Sequence, residues 1–470
     1  MEPDAVGLSS RLYAAGRRFI RSSVAVMIDH PVLTSFLVAL GVRVVFAVLS
    51  SLVHEGVLIP DEGQYLTLAL AASQGGLTAD FWPGYGQSLF DSTRTFMWPL
   101  TTLFWLFGPS RLLAQLLPVL FGSVTAATTA AVAGRVVRRS YALTAGLIVA
   151  LFPSQVLWSS VVLRESLVWA GLAGIAALVS YSNRKSSTIK ILSSTVVSSL
   201  LIVALASLRI QTAALALWCL FLALLIGRGS RVVRVLSAVC FLLVVPWQLG
   251  MGPGAVTFAQ GSVDRLGSAH AYMSLNADSS LDDGDVAFTK GSVDSCAAHV
   301  KGKTGEWKGI TEGGGKLLER ESGAWLCISD ESGGTVLVDN RPRTSLRRVP
   351  KGLLDTMIQP LPWKAGWSNP DRFAAGLELP FWILLYVFSA YGAWEQREHF
   401  RQLIFPALLF GSVAVSGAMV HGNLGTAFRH RGQVLFAVAI LAVGGLQAVA
   451  DRRKGRQRRR DTIDSVNPEI

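Results

Sequence analysis

Long apolar runs separated by short polar segments dominate this chain. The runs that approach the length of a membrane span are 31–53, 111–134, 142–163, 166–182, 191–208, 211–227, 235–252, 376–394, 403–420 and 432–449. A helix that crosses a bilayer uses roughly 20 residues. Hydrocarbon offers no partner to backbone amides, and the runs lack the alternating polarity of a barrel strand. The pattern therefore predicts an all-α polytopic membrane bundle of about ten transmembrane helices.

Two predicted outer segments are too long to be simple connections. The first, 54–110, contains a semi-apolar stretch at 95–107 that is too short to cross and is predicted to be an interfacial or re-entrant helix. The second, 254–375, is rich in Gly, Ser, Asp and Thr with β-like runs such as Thr335–Val338, and predicts a small extracytoplasmic α+β or β insertion. The predicted order is a basic cytoplasmic interfacial segment 1–30, membrane parts 31–253 and 376–449 around the insertion, and a basic cytoplasmic tail 450–470.

Composition and charge narrow the class of protein. Of the 470 residues 51% are hydrophobic and 16% charged, against about 25% charged in soluble domains, which excludes an ordinary cytosolic enzyme. The net charge of +12 comes from basic residues on every predicted inner loop, which places both termini in the cytoplasm. We expect an integral protein of a bacterial plasma membrane without a cleavable signal, whose tail anchors to anionic lipid and binds no nucleic acid.

Acidic residues on the charge-poor outer side are the first candidates for chemistry. Asp61 and Glu62 follow the first span in the run 59–65. A carboxylate pair at the bilayer surface can deprotonate an acceptor hydroxyl, one acid acting as base and the other tuning or orienting it. Pro60 followed by two acids also describes the first turn of a helix, where the dipole favours negative charge. Both interpretations stand at this point.

Basic residues on the same side are candidate anion ligands. Arg429 and Arg431, with His430 between them, precede the last span and suit a lipid phosphate, although snorkelling to headgroups explains them too. Arg209 has no acid near it in the sequence and is a better phosphate candidate than Arg164, which can pair with Glu165. Arg43, midway along the first span, must face protein or water, as a buried structural partner or a substrate contact.

Cysteines add one structural prediction. Cys296 and Cys327 both lie in the long outer segment, where oxidation is permitted, so a disulfide between them is preferred over two free thiols. Their spacing does not suggest zinc, and no metal site is predicted.

Several short motifs together resemble the GT-C superfamily of polytopic glycosyltransferases, which take a sugar from a polyprenyl phosphate. The matching residues are Asp61-Glu62 with Gln64-Tyr65-Leu66 and Leu68-Ala69, the run 107–111, Phe152-Pro153-Ser154 with Leu163-Arg164-Glu165, and Gly422-Asn423, Gly425-Thr426 and 428–431. The resemblance implies that Asp61 is catalytic with Glu62 as supporting acid, and that Arg429 and Arg431 meet the carrier phosphate. The last motif reads Arg-His-Arg where related sequences often have Arg-Tyr-Arg.

The expected function is therefore inverting transfer of a sugar from a polyprenyl-phosphate donor to an extracytoplasmic glycan, lipid or protein. Arg43, Tyr65, Arg164 and Glu165 are expected to support the site. The reaction requires no cofactor, and a divalent cation between Asp61, Glu62 and phosphate is compatible with it. The alternatives are a transporter or flippase of lipid-linked glycans, and a non-catalytic accessory protein of cell-surface polysaccharide assembly.

Overall fold

A computed structural model describes most of the predicted membrane portion. The described residues are 22, 24–53, 57–75, 85–181, 188–226, 235, 238–239, 316–319, 325–328, 335–338, 349–358, 376–420 and 431–466. The helices are α1 Pro31–Val53, α2 Pro60–Ser73, α3 Tyr85–Ser92, α4 Arg94–Phe107, α5 Arg111–Ala133, α6 Arg139–Leu151, α7 Pro153–Trp158, α8 Glu165–Tyr181, α9 Thr188–Ala206, α10 Ile210–Ile226, α11 Val349–Ile358, α12 Leu379–Glu395, α13 Phe400–Val420 and α14 Leu435–Val466. A short 3₁₀ helix, Arg397–His399, joins α12 to α13.

The apolar runs form helices, as predicted for a helical membrane protein. Among the described residues five helices are long and apolar enough to cross a bilayer, namely α1, α5, α9, α13 and α14. The runs at 166–182, 211–227 and 376–394 correspond to the shorter helices α8, α10 and α12, and most of 235–252 lies outside the described residues. The predicted basic tail continues α14 without a break as far as Val466.

The predicted span 142–163 is not one continuous helix. Its helix stops at Leu151, and the six-residue α7 starts at Pro153. Proline has no N–H and clashes with the preceding turn, so the carbonyls at the end of α6 lose their usual helical partners. The buried guanidinium of Arg43 replaces those partners, because it donates to Val149 O at 3.1 Å and to Ala150 O at 2.9 Å. Arg43 is thus buried and bonded to the protein's own carbonyls, which favours the structural interpretation.

Helix α5 lies at the centre of this part of the fold. It packs against α1, α6, α8 and α14, and its inward face is made of small residues such as Gly122, Ala126 and Ala130. Ser110 caps its first turn by accepting from Leu113 N at 3.4 Å. A Cβ on Gly122 would lie 2.7 Å from Arg43 Nε, so the absence of a side chain lets α1 and α5 approach. Small residues at such contacts are typical of helix packing in membranes.

The segment 254–375 contains a small sheet. Strands β1 Lys316–Glu319, β2 Trp325–Ile328 and β3 Thr335–Val338 pair antiparallel in the order β1-β2-β3. The predicted β-like run 335–338 is β3, and Cys327 of β2 is in register with Leu317 and Val336. Cys296 and most of the predicted insertion lie outside the described residues, so the disulfide and the separate domain stay predictions.

Chain contacts divide the protein into two compact units. The first comprises Met1–Gly250, Pro380–Phe410 and Gly432–Ile470, and the second comprises Met251–Leu379 and Gly411–Arg431. The first unit contains α1 to α10, the central helix and the candidate site described below.

The crossing of α12 and α14 predicts a sharp difference between two glycines. A Cβ on Gly392 would overlap the Leu441 carbonyl oxygen and lie 2.6 Å from Gly445 N, whereas nothing lies within 4 Å of a Cβ on Gly411. Gly392→Ala should therefore destabilise the protein by about 1–3 kcal/mol through overpacking. Gly411→Ala should be neutral or stabilising by up to about 1 kcal/mol through helix propensity. Thermal unfolding of the two purified variants in detergent measures this, and equal midpoints would contradict the close crossing.

Candidate active site

The Asp61-Glu62 pair lies in the first turn of α2, which begins at Pro60. The missing N–H and preset φ of proline suit the first helical position, and the helix dipole favours the two acids after it. The two carboxylates have different surroundings, because Glu62 is completely buried whereas Asp61 is partly exposed. Only Asp61 is therefore open to a reactant from outside the protein.

Glu62 holds α2 in place. Both of its carboxylate oxygens accept from Arg111, from Nε and Nη2 at 3.1 Å each. The backbone N–H groups of Leu58 and Val162 also donate to it, at 3.1 and 3.4 Å. These four bonds tie the start of α2 to the start of α5 and to the segment between α7 and α8. The geometry favours an anchoring role for Glu62 over direct proton transfer.

Tyr65 lies one turn after Asp61 on α2, and its side chain is buried. Its side chain is 6% exposed, and its ring meets the edge of Phe96 with 5.2 Å between the ring centroids. Next to Phe96, the Thr95 hydroxyl is hydrogen-bonded to that of Ser207 at the end of α9. Helix α4 thereby joins Tyr65 to the turn that begins α10.

Arg209 lies in the same turn and completes a closed series of contacts between the elements near Tyr65. Arg209 Nη2 donates to Glu165 Oε1 at 2.5 Å, and Glu165 lies three residues after Val162, whose backbone N–H meets Glu62. The series thus runs through α2, α4, the α9–α10 turn and the α7–α8 segment before returning to α2. Residues far apart in the sequence are brought to one place by these contacts.

Four charged groups act electrostatically on the Tyr65 phenol. Burial raises the pKa of Tyr65, the positive charges of Arg164 and Arg209 lower it, and the negative charges of Glu165 and Asp61 raise it. All four groups are therefore within electrostatic range of one hydroxyl. Because the net effect is to raise a pKa whose ordinary value is 10.0, the phenol is protonated and a hydrogen-bond donor at neutral pH.

The structure thus brings together most of the sequence candidates from the first unit. Tyr65 interacts electrostatically with Asp61, Arg164, Glu165 and Arg209, and Glu165 is ion-paired with Arg209. Arg43 reaches the same α7–α8 segment through Ser159 Oγ, to which its Nε donates at 2.6 Å.

The candidates before the last span are placed only in part. Arg429 and His430 lie outside the described residues, so their contact with phosphate stays a prediction. Arg431 belongs to the second unit, is 2% exposed and donates from Nη1 to Met357 O at 3.0 Å. Burial with a backbone partner indicates a structural contribution from Arg431.

Arg111 belongs to the motif 107–111, but no role in the site was predicted for it from the sequence. It follows Gly108-Pro109-Ser110 at the start of a predicted span, on the side that the positive-inside rule leaves poor in cations. A cation at that position, in the same predicted outer loop as an acidic pair, was the feature of the sequence that could have indicated an ion pair. In the structure it supplies the bidentate partner of Glu62.

The site contains a partly exposed carboxylate, a protonated phenol and two guanidinium groups, one of them neutralised by Glu165. Such a set can accept a proton from one reactant and hold an anion on another. Within the described ranges, no group of three or more His, Cys, Asp or Glu side chains is placed to hold a metal ion.

No family model, curated protein or solved structure matches the chain.

Proposed function

We propose that this protein is a membrane glycosyltransferase that moves a sugar from a polyprenyl-phosphate donor to a hydroxyl of an extracytoplasmic glycan, lipid or protein. The observation that carries the proposal is the partly exposed Asp61 carboxylate, which acts electrostatically on the same phenol as the Arg164 and Arg209 guanidiniums. Transfer from a phosphate-linked sugar needs a base on one side of the anomeric carbon and cations on the other. The site supplies both kinds of group at one end of the helix bundle.

The proposed reaction is a single displacement. Asp61 removes the proton of the acceptor hydroxyl, whose oxygen forms a bond to the anomeric carbon while the bond from that carbon to the phosphate oxygen breaks. The electron pair leaves with the polyprenyl phosphate, and the configuration at the anomeric carbon inverts. Guanidinium groups stabilise the charge that grows on the phosphate, a contribution of several kcal/mol in a dry site. Arg209 has this role in the proposal, and phosphate contacts by Arg429, His430 and Arg431 stay predictions from the sequence.

The surroundings of the site suit a lipid-linked donor. Helix α4 buries Phe96, Met97 and Leu100 against the protein and exposes Trp98 and Trp105 by 61% and 69%. A 14-residue helix with two exposed tryptophans is too short to cross but suits the membrane interface, where Trp is enriched. A prenyl chain in the adjacent hydrocarbon would thus end close to Tyr65, which packs on this helix.

The test uses the purified full-length protein in vesicles. We expect labelled sugar to pass from polyprenyl-phosphate hexoses or pentoses to an envelope extract of lipids and glycans, and none to pass from the matching nucleotide sugars. The label is counted in the acceptor fraction, and the released polyprenyl phosphate is measured in parallel. Absence of transfer from every polyprenyl donor would refute the proposal. Movement of the intact labelled lipid between leaflets would instead favour the flippase alternative.

A further inference from the structure

The two arginines beside Tyr65 are not equivalent. Arg209 and Glu165 form a close ion pair in which the side chains are only 14% and 5% exposed. The charge of Arg209 is therefore largely matched before any ligand arrives. A guanidinium held in this way orients its neighbours more than it attracts a new anion.

Arg164 differs, because its half-buried guanidinium makes no hydrogen bond or ion pair in the part of the chain that the structure describes. Its backbone is nevertheless fixed, since Arg164 O accepts from Leu167 N and Val168 N in the first turn of α8. Its side chain is thus mounted on a rigid element. The start of a 17-residue helix also favours an anion at this point.

The Tyr65 hydroxyl is the second group at this site that the proposal uses as a donor, and no acceptor for it is seen among the described residues. Its side chain is 94% removed from solvent, with its ring on Phe96. A hydroxyl that the protein itself leaves without an acceptor is available to hydrogen-bond a ligand. The Glu62 contact with Val162 brings α2 to the segment that ends at Arg164, and the Arg164 charge is close enough to act electrostatically on the Tyr65 phenol.

We propose that Arg164 and the Tyr65 hydroxyl form the phosphate subsite, where they bind the phosphate monoester of the prenyl carrier. This inference rests on the proposed function and refines it, because it moves the main phosphate contact from Arg209 to Arg164. A guanidinium offers a planar fork of N–H donors that matches phosphate oxygens, and the phenol adds one O–H donor. The phenol is protonated over the physiological range, since burial raises the pKa of Tyr65. Arg209 is then a positioning residue that fixes Glu165 at the start of α8.

The experiment measures binding alone, with the full-length protein in nanodiscs and no sugar or acceptor present. The probes are farnesyl phosphate, farnesol and inorganic phosphate. We expect farnesyl phosphate to bind more tightly than farnesol, Tyr65→Phe to weaken it about tenfold, and Arg164→Gln to weaken it about tenfold to a hundredfold. Binding of farnesol should not change in either variant. Arg94→Gln, which removes an exposed arginine at the start of α4, is the matched control and should bind as the wild type does.

Thermal unfolding separates this role from a structural one. Tyr65→Phe and Arg164→Gln should unfold at the wild-type temperature, whereas Arg209→Gln should unfold earlier because it leaves Glu165 buried without its partner. Wild-type affinity for farnesyl phosphate in both Tyr65→Phe and Arg164→Gln would overturn the subsite. An effect confined to inorganic phosphate would also overturn it, because the lipid would then bind elsewhere.

The outcomes for the subsite and for the enzyme are distinguishable. A wild-type protein that binds farnesyl phosphate through Arg164 and Tyr65 but transfers no sugar would refute the glycosyltransferase and leave the phosphate subsite standing. A wild-type protein that transfers sugar while both variants bind normally would refute the subsite alone.

Discussion

Replacing Asp61 by asparagine is expected to slow sugar transfer by about 100- to 10,000-fold, the usual contribution of a general base. Asparagine has the same shape as aspartate but cannot accept the proton of the acceptor hydroxyl. Asp61 is partly exposed at the start of α2. Loss of the favourable interaction between its charge and the helix dipole should lower the free energy of unfolding by about 0.3–1 kcal/mol. The affinity for farnesyl phosphate should stay within about twofold, since the base contacts the acceptor and not the carrier.

The measurement is the initial rate at saturating donor, with the thermal midpoint of the same preparation. Asp91→Asn is the matched control, because Asp91 is an exposed aspartate of α3 and the substitution removes the same charge. It should retain the wild-type rate. If Asp61→Asn also transferred sugar at that rate, Asp61 would not be the base, and the proposed mechanism would lose its central residue.

Hydropathy predicted where helices lie but not where one of them breaks. The run 142–163 is apolar on both sides of Pro153, so a count of apolar residues extends across the break. The break persists because Arg43 satisfies carbonyls that lie 106 and 107 residues further along the chain. A contact of that kind depends on packing between α1 and α6, which a local pattern does not contain.

The candidate site likewise combines features visible in the local sequence with contacts that form only between distant residues. Charge on the predicted outer side drew attention to Asp61, Arg164, Glu165 and Arg209, because an unsatisfied charge there is unfavourable. It did not tell which acid faces solvent or which arginine is neutralised. Glu165 pairs with Arg209 across 44 residues and Glu62 with Arg111 across 49, and both pairings arise only when the helices assemble.

Removal of one partner of the Glu62–Arg111 ion pair should have the largest effect on the free energy of unfolding. Glu62→Ala would leave a guanidinium that is only 17% exposed without its carboxylate, and would remove the acceptor of the Leu58 and Val162 N–H groups. Removal of one partner of a buried pair costs about 3–5 kcal/mol. Glu395→Ala, which breaks the more exposed pair with Arg452, is the control and should cost less than about 1 kcal/mol.

A double substitution then separates anchoring from catalysis. Glu62→Leu with Arg111→Leu removes both charges together, and replacement of a whole buried pair by apolar residues is often close to neutral. Unfolding in detergent should show recovery of most of the lost stability. If Glu62 only anchors α2, sugar transfer should recover with it, because Asp61 and Tyr65 regain their places. Recovered stability without recovered transfer would instead assign Glu62 a direct part in the reaction, and wild-type stability of Glu62→Ala would contradict the anchor itself.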